Sequence, residues 1–337
     1  TYAARDVLKA YLTVRKETGR LYCINLDEAN DHTPFLDRIT QSNLCLEIAL
    51  PTEPFVGMQD LYSETSEGEM AFCTLGALNV AKIKPYEYEH LAFVLVATLN
   101  KLITNVEMFA PSLKNNLLKR RSLGIGITGL ATHLYDVNKS YSDKVYLEKM
   151  AERHYYFCLK ASQRLAGVYG SRSGIDLDWL PIDTKKTTTP STMDWEALRG
   201  HPRANSVLVA HMPTESSAVF SNSTNGLYPV RRRVINKQSR KGTVQFIAPP
   251  VRELAWDIPT TTMTYAYAAF QAYTDQAISA DYYVGKGKVS MKQMITEWLV
   301  HSKSGLKTAY YLNTNDYNGG SFQEQSVGGC ESGACTL

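Results

Sequence analysis

Hydrophobic and polar positions follow two rhythms along this chain. Over residues 4–18, Leu8, Tyr11, Leu12 and Val14 form a rough apolar face at helical spacing, which predicts a helix ending at Gly19. A short strand is expected over 21–25, followed by a polar connection, DEANDHTP. Over 43–48 the period drops to two, with Asn43, Cys45 and Glu47 alternating with Leu44, Leu46 and Ile48. In an extended strand, residues two apart share a face. One face would then be apolar, and the other would carry an amide, a thiol and a carboxylate. Taken alone, the pattern equally fits a half-buried strand whose polar face meets solvent.

Farther along, an apolar strand is expected over 69–80, with Cys73 near its start, and helices over 86–109 and 143–167. A strand-like run at 205–209 leads into MPTESSAVFSNSTNG. Helices are expected over 265–278 and 292–305, and a last ordered element over 308–313. Strands alternating with helices mean an α/β chain with mainly parallel pairing. Beyond Asp316 the composition turns to Gly, Ser, Gln and Asn, too poor in apolar residues to fold alone.

Composition narrows the function classes. The chain has 337 residues, 44% of them hydrophobic and 20% charged, which is ordinary for a globular protein. A net charge of +3 argues for neither nucleic acid nor a membrane surface as partner. No apolar run approaches the roughly 18 residues of a spanning helix. The six cysteines, Cys23, Cys45, Cys73, Cys158, Cys330 and Cys335, suggest no disulfide scaffold, and none has zinc-site spacing. A reducing, cytoplasmic setting is expected, with some thiols present for their reactivity and no metal bound directly.

Several segments carry candidate chemistry. The run Pro213, Thr214, Glu215, Ser216, Ser217 follows a strand. If it opens a helix, it offers backbone N–H groups and hydroxyls to an anion, or simply caps that helix. The run SNSTNG after it is a turn-forming loop that would close over the same place. Gly124, Gly126 and Gly129 formally satisfy GxGxxG, but Lys119, Arg120 and Arg121 stand where a hydrophobic strand should precede it. These glycines are read as close packing of a strand and a helix, and the basic triplet as a solvated face. His154 and Cys158, one helical turn apart, are assigned to packing, and Cys23 to a small buried hydrophobe. Tyr310 and Tyr311 either divide between core and surface or serve redox chemistry. Cys330 and Cys335, in the polar tail, suit thiol–disulfide exchange.

Five landmarks occur in order: NLCLE at 43–47, AFCTL at 71–75, PTESS at 213–217, AYYLNT at 309–314 and CESGAC at 330–335. Together they closely resemble the catalytic large subunit of class I, aerobic ribonucleotide reductase, and the resemblance runs the length of the chain. That family's fold is a ten-stranded α/β barrel of two five-stranded parallel halves, with a finger loop through its centre. The resemblance therefore implies a C-terminal part of that barrel over 1–315 and a flexible redox tail over 316–337.

The resemblance also implies roles. Cys45 would be the transient thiyl radical that takes the 3′-hydrogen of a ribonucleoside diphosphate. Glu47 would be the base on the 3′-hydroxyl, and Asn43 would hold that hydroxyl. Ser42 and Leu44 would also bind the substrate, and 213–217 would take the diphosphate. Cys73 would be one of two thiols that reduce the 2′ position. Tyr310 and Tyr311 would end a radical relay from a small beta subunit holding a di-iron tyrosyl radical. Cys330 and Cys335 would re-reduce the active-site disulfide and be reduced by thioredoxin or glutaredoxin. Roughly 16 residues separate Asn313 from Cys330, which as a flexible chain span about 20–25 Å.

The family's large subunit is about twice this length, and the missing N-terminal part includes half the barrel and the cysteine that pairs with Cys73. Activity is therefore expected only with a complementing N-terminal half, whether the chain is a piece of a longer protein or one product of a split viral enzyme. In the viral case its compartment would be the host cytoplasm. The rival is a catalytically silent module that binds the radical subunit or nucleotides, although every expected C-terminal catalytic residue is present. Glycyl-radical and cobalamin reductases fit less well, because no glycyl-radical motif lies near the C-terminus and the paired tyrosines imply an imported radical.

Overall fold

A computed structural model of the chain describes residues 2–169, 177, 189–239, 242–285 and 289–315. The first elements are α1 (Ala4–Thr18), β1 (Cys23–Ile24), α2 (Leu26–Asp31), β2 (Thr74–Asn79), α3 (Tyr88–Asn105) and α4 (Pro111–Arg120). Then come β3 (Leu123–Thr128), α5 (Leu130–Asp136), α6 (Lys144–Tyr169), α7 (Glu215–Phe220), β4 (Val234–Ser239) and β5 (Gly242–Ile247). The last are α8 (Thr260–Gln271), β6 (Tyr282–Gly285), α9 (Met291–Lys303), β7 (Thr308–Ala309) and β8 (Leu312–Asn315).

Local chemistry explains the boundaries. Helix α1 stops at Gly19, whose left-handed φ of 70° lets its N–H reach the Arg15 carbonyl. The helix expected over 86–109 is α3 alone, which ends earlier, at Asn105. Val106 turns extended after α3, and Pro111 then starts α4, where its missing N–H costs nothing. The helix expected over 265–278 instead runs 260–271. The chain beyond it turns over 272–276, where the Asp275 carboxylate accepts the N–H groups of Leu208 and Val209, both at 2.8 Å. The strand expected over 69–80 is regular only over β2. The β4–β5 hairpin, α2, α4 and α5 carry too little periodic signal to be expected from the pattern.

The paired strands divide evenly between parallel (β2–β3, β6–β8) and antiparallel (β1–β7, β4–β5). Further backbone bonds join them into a longer parallel row. Segment 207–211 lies beside β3 through Leu123 N–H to Val207 O and Ile125 N–H to Leu208 O. On its other side it meets 276–279 through a parallel bridge from His211 to Ile278. Tyr310 N–H then donates to Ala280 O, which carries the row on to 308–315. Five extended segments thus lie side by side and parallel in mixed α/β architecture: β2, β3, 207–211, 276–285 and 308–315. Among the described residues they do not close into a barrel.

The main core lies between this row and α3, α6 and α8. β3 is buried along its whole length, but its glycines admit the neighbouring extended segments and not, as expected, a helix. A Cβ on Gly124 would stand 2.5 Å from Leu75 Cδ2 and 3.0 Å from Cys73 Sγ. Gly129, just after β3, has φ +84°, and a Cβ there would collide with Ser223 Oγ. Gly129→Ala should therefore lower stability by about 1–3 kcal/mol, read as a lower urea midpoint; an unchanged midpoint would contradict this packing. His154 and Cys158 are both buried, and His154 is held by the Tyr88 hydroxyl at 2.8 Å and the Ile125 carbonyl at 2.9 Å. Cys23 is only half-buried, in β1.

The basic triplet is not a solvated face. Lys119 is exposed, but Arg120 and Arg121 are buried. Arg120 pairs with buried Glu69 and, at 2.7 Å, with Asp37, while Arg121 donates to Asn100 Oδ1 at 3.2 Å and Thr104 Oγ1 at 2.9 Å. Carboxylates and amides distant in sequence draw both guanidinium groups inward. No helix among the described residues is long and apolar enough to cross a membrane.

Candidate active site

The segment at 43–48 is a tight turn and not a strand. Leu46 N–H donates to the Asn43 carbonyl at 3.2 Å, and Leu46 takes a left-handed φ of 65°. Local side-chain bonds outcompete extension here. Asn43 Oδ1 accepts the Ile48 N–H at 3.1 Å, and Ser42 Oγ donates to the Ile48 carbonyl at 2.7 Å. The expected apolar face is absent, since Leu46 is 8% exposed and Leu44 58%. The turn nevertheless brings the polar groups together. Asn43 Nδ2 donates to Glu47 Oε1 at 2.9 Å, with Cys45 between them at the tip.

The turn is seated on the parallel row. Ala277 N–H donates to the Glu47 carbonyl at 3.0 Å, and Ser279 Oγ to Glu47 Oε2 at 3.1 Å. Burial raises the Glu47 pKa above the usual carboxylate value, while its own backbone N–H, Asn43 and Ser279 pull it back. A carboxylate raised in this way is a stronger base than an exposed one.

Tyr310 faces the cysteine, its hydroxyl 3.5 Å from Cys45 Sγ. Neighbouring residues of a regular strand would point apart. The break between β7 and β8 instead brings the Tyr310 and Tyr311 ring centroids to 4.3 Å. Tyr22 completes a cluster, 4.6 Å from Tyr310 and 5.1 Å from Tyr311. The sequence offers no signal for Tyr22, a single aromatic in a short strand. Burial, and then the Cys45 contact, raise the Tyr310 pKa strongly, so the phenol keeps its proton at neutral pH. Asp281, which accepts the Tyr311 N–H at 3.2 Å, is itself pushed up to about 7 by burial.

Cys73, just before β2, is half-buried. Burial pushes its thiol up to about 12, with smaller upward effects from the Glu47 and Asp275 charges and a downward one from Gln276. Gln276 Nε2 donates to Cys73 Sγ at 3.2 Å. No sequence pattern marks this glutamine.

The 213–217 run does open a helix, the short α7. It leaves the C-terminal end of segment 207–211, on the side of a parallel sheet where ligands usually bind. Thr214 is buried, and its hydroxyl is engaged with Thr128 Oγ1 at 2.7 Å and the Gly226 N–H at 2.8 Å. Glu215, Ser216 and Ser217 are exposed in the first turn, where helical N–H groups lack intrahelical acceptors, and Pro213 is half-buried. The loop after the helix folds back, with Asn225 Oδ1 accepting the Thr214 N–H at 2.6 Å. Cys330 and Cys335 lie outside the described residues.

The parallel α/β row thus carries a tyrosine-capped cysteine beside an amide–carboxylate pair. Residues 1–254 match the ribonucleotide reductase barrel domain, and the chain belongs to that family. It is 37% identical to the ribonucleoside-diphosphate reductase subunit alpha of Haemophilus influenzae, over all of this chain and 48% of the relative. It is 36% identical to the ribonucleoside-diphosphate reductase 1 subunit alpha of Escherichia coli, over 99% of this chain and 48% of the relative. The subunit alpha of Enterobacteria phage T4 is 32% identical over 94% of this chain and 46% of the relative. The chain thus spans about half the length of the curated relatives it matches.

Proposed function

We propose that this chain is the catalytic C-terminal part of a ribonucleotide reductase that converts ribonucleoside diphosphates to 2′-deoxyribonucleoside diphosphates. The observation that carries this reading is the 3.5 Å contact between the Tyr310 hydroxyl and Cys45 Sγ, beside the Asn43–Glu47 pair. Because the Tyr310 phenol keeps its proton, its oxidation moves proton and electron together, and the Cys45 S–H is within reach to return both. The Cys45 thiyl then takes the 3′-hydrogen of the ribose. Glu47 accepts the 3′-hydroxyl proton while Asn43 holds that oxygen. The 2′-hydroxyl leaves as water, two electrons come from Cys73 and a second thiol that end as a disulfide, and Cys45 returns the 3′-hydrogen. Ser42 and Leu44 also line the substrate site, and the exposed first turn at 213–217 takes the diphosphate.

The same reading assigns the rest of the system. Tyr311 receives the radical from a small beta subunit, whose di-iron tyrosyl centre supplies the one-electron oxidant. Cys330 and Cys335 restore the dithiol and are reduced by thioredoxin or glutaredoxin. A complementing N-terminal half supplies the second thiol. Its need is supported by the half-length match and by apolar side chains left open, such as Leu75 on β2 and Leu102 on α3, 42% and 55% exposed.

The test is reduction of CDP with a dithiol reductant and the radical subunit, with and without an N-terminal half. Product only with that half supports the reading, and product without it would show that Cys73 has another partner. In the assembled enzyme, Glu47→Gln should lower kcat by about 10²–10⁴-fold with little change in KM. The wild-type acidic limb should lie above an ordinary carboxylate pKa, since burial raises Glu47. A Glu47→Gln enzyme that retains both kcat and that limb would remove Glu47 as the base.

A further inference from the structure

We propose that Gln276 is a positioning residue that locks the Cys73 sulfur and the Cys45-bearing turn into one register. This rests on the reading above for its use in the reaction, but the linkage itself is independent of it. Gln276 is fully buried, and its amide is used at both ends. Nε2 donates to Cys73 Sγ at 3.2 Å and to the Leu123 carbonyl at 2.9 Å, while Oε1 accepts the Ala49 N–H at 3.2 Å. One side chain therefore ties the cysteine preceding β2 to the segment that leaves the turn at 43–46.

The amide cannot easily swing away. The Gln276 carbonyl is held by Lys307 Nζ at 2.6 Å and Gln271 Nε2 at 3.1 Å. Its own N–H donates to the Val209 carbonyl at 3.1 Å. A buried amide with every polar group paired resists rotation, because any other rotamer leaves donors unsatisfied. The next residue continues the connection, since the Ala277 N–H holds the Glu47 carbonyl. Residues 276 and 277 thus place Cys73, Glu47 and the Cys45 turn against the same two positions of the parallel row. An N–H donor aimed at a thiol also favours its thiolate.

Two nearly isosteric replacements separate the roles. Gln276→Glu keeps an acceptor for the Ala49 N–H and removes the donor to Cys73, and Gln276→Met removes both. Two readouts are made on the full chain: iodoacetamide alkylation of Cys73 by mass spectrometry, and hydrogen exchange of the peptide containing Ala49. The Glu variant should alkylate Cys73 about tenfold more slowly with exchange at Ala49 unchanged. The Met variant should lose protection at Ala49 as well. Unchanged Cys73 alkylation in the Glu variant, or retained Ala49 protection in a folded Met variant, would overturn the proposal. If the Met variant does not fold, by circular dichroism, the Glu variant alone decides. Neither readout needs ribonucleotide reduction, so a failed CDP assay leaves this result standing, and the reverse also holds.

Discussion

Tyr310→Phe is expected to lower CDP reduction in the assembled enzyme by about three orders of magnitude or more, equivalent to about 4 kcal/mol of transition-state stabilisation. The substitution removes one oxygen, the one that stands 3.5 Å from Cys45 Sγ. The ring keeps its packing between Tyr22 and Tyr311, so the fold should change by no more than about 1 kcal/mol, the usual net value of a single hydrogen bond. Phenylalanine has no transferable hydrogen and cannot pass proton and electron together to the thiol. The contrast is therefore a nearly unchanged melting curve with lost turnover. Tyr311→Phe should behave alike, one step farther out. Turnover within tenfold of the unsubstituted enzyme, in either case, would end the imported-radical reading.

Arg120→Met should cost about 3–5 kcal/mol of stability, the usual penalty for breaking a buried ion pair from one side. Arg120 lies between Glu69 and Asp37, with its guanidinium 5.2 Å from the centroid of the Phe35 ring. It joins the lead-in to β2 with the segment entering the Cys45-bearing turn. Without it, buried Glu69 is left with only the Lys119 ammonium at 3.5 Å. Urea unfolding followed by tryptophan fluorescence would measure the loss. Adding Glu69→Leu removes the stranded charge and should recover much of it. A single variant within about 1 kcal/mol of the parent, or a double variant no better than the single, would mean that the pair contributes little.

Much of this organisation is legible in the order of residues alone. The α1 helix and its glycine stop, and α9, follow from spacing and local backbone chemistry, which act over a few residues. The chemistry-bearing residues are also legible as types in order, because NLCLE, PTESS and the paired tyrosines are short and contiguous. Where the local pattern misleads, other bonds decide. The expected strand at 43–48 is a turn, because Ser42 and Asn43 bond back to Ile48, and 276–279 seats the result. The expected helix through Ile278 ends early because Asp275 is claimed by the N–H groups of Leu208 and Val209.

The sequence by itself thus determined the alternation of helices and extended segments, the family, and which side chains are available for chemistry. Only the tertiary structure decided how they meet. It turned the Tyr310 hydroxyl to Cys45, added Tyr22 to the pair, buried Arg120 and Arg121, and set Gln276 between Cys73 and the turn. Each of these joins residues from about 20 to nearly 300 positions apart. No local propensity encodes such contacts, because they form only when the parallel row brings its segments side by side and burial makes an unpaired polar group costly.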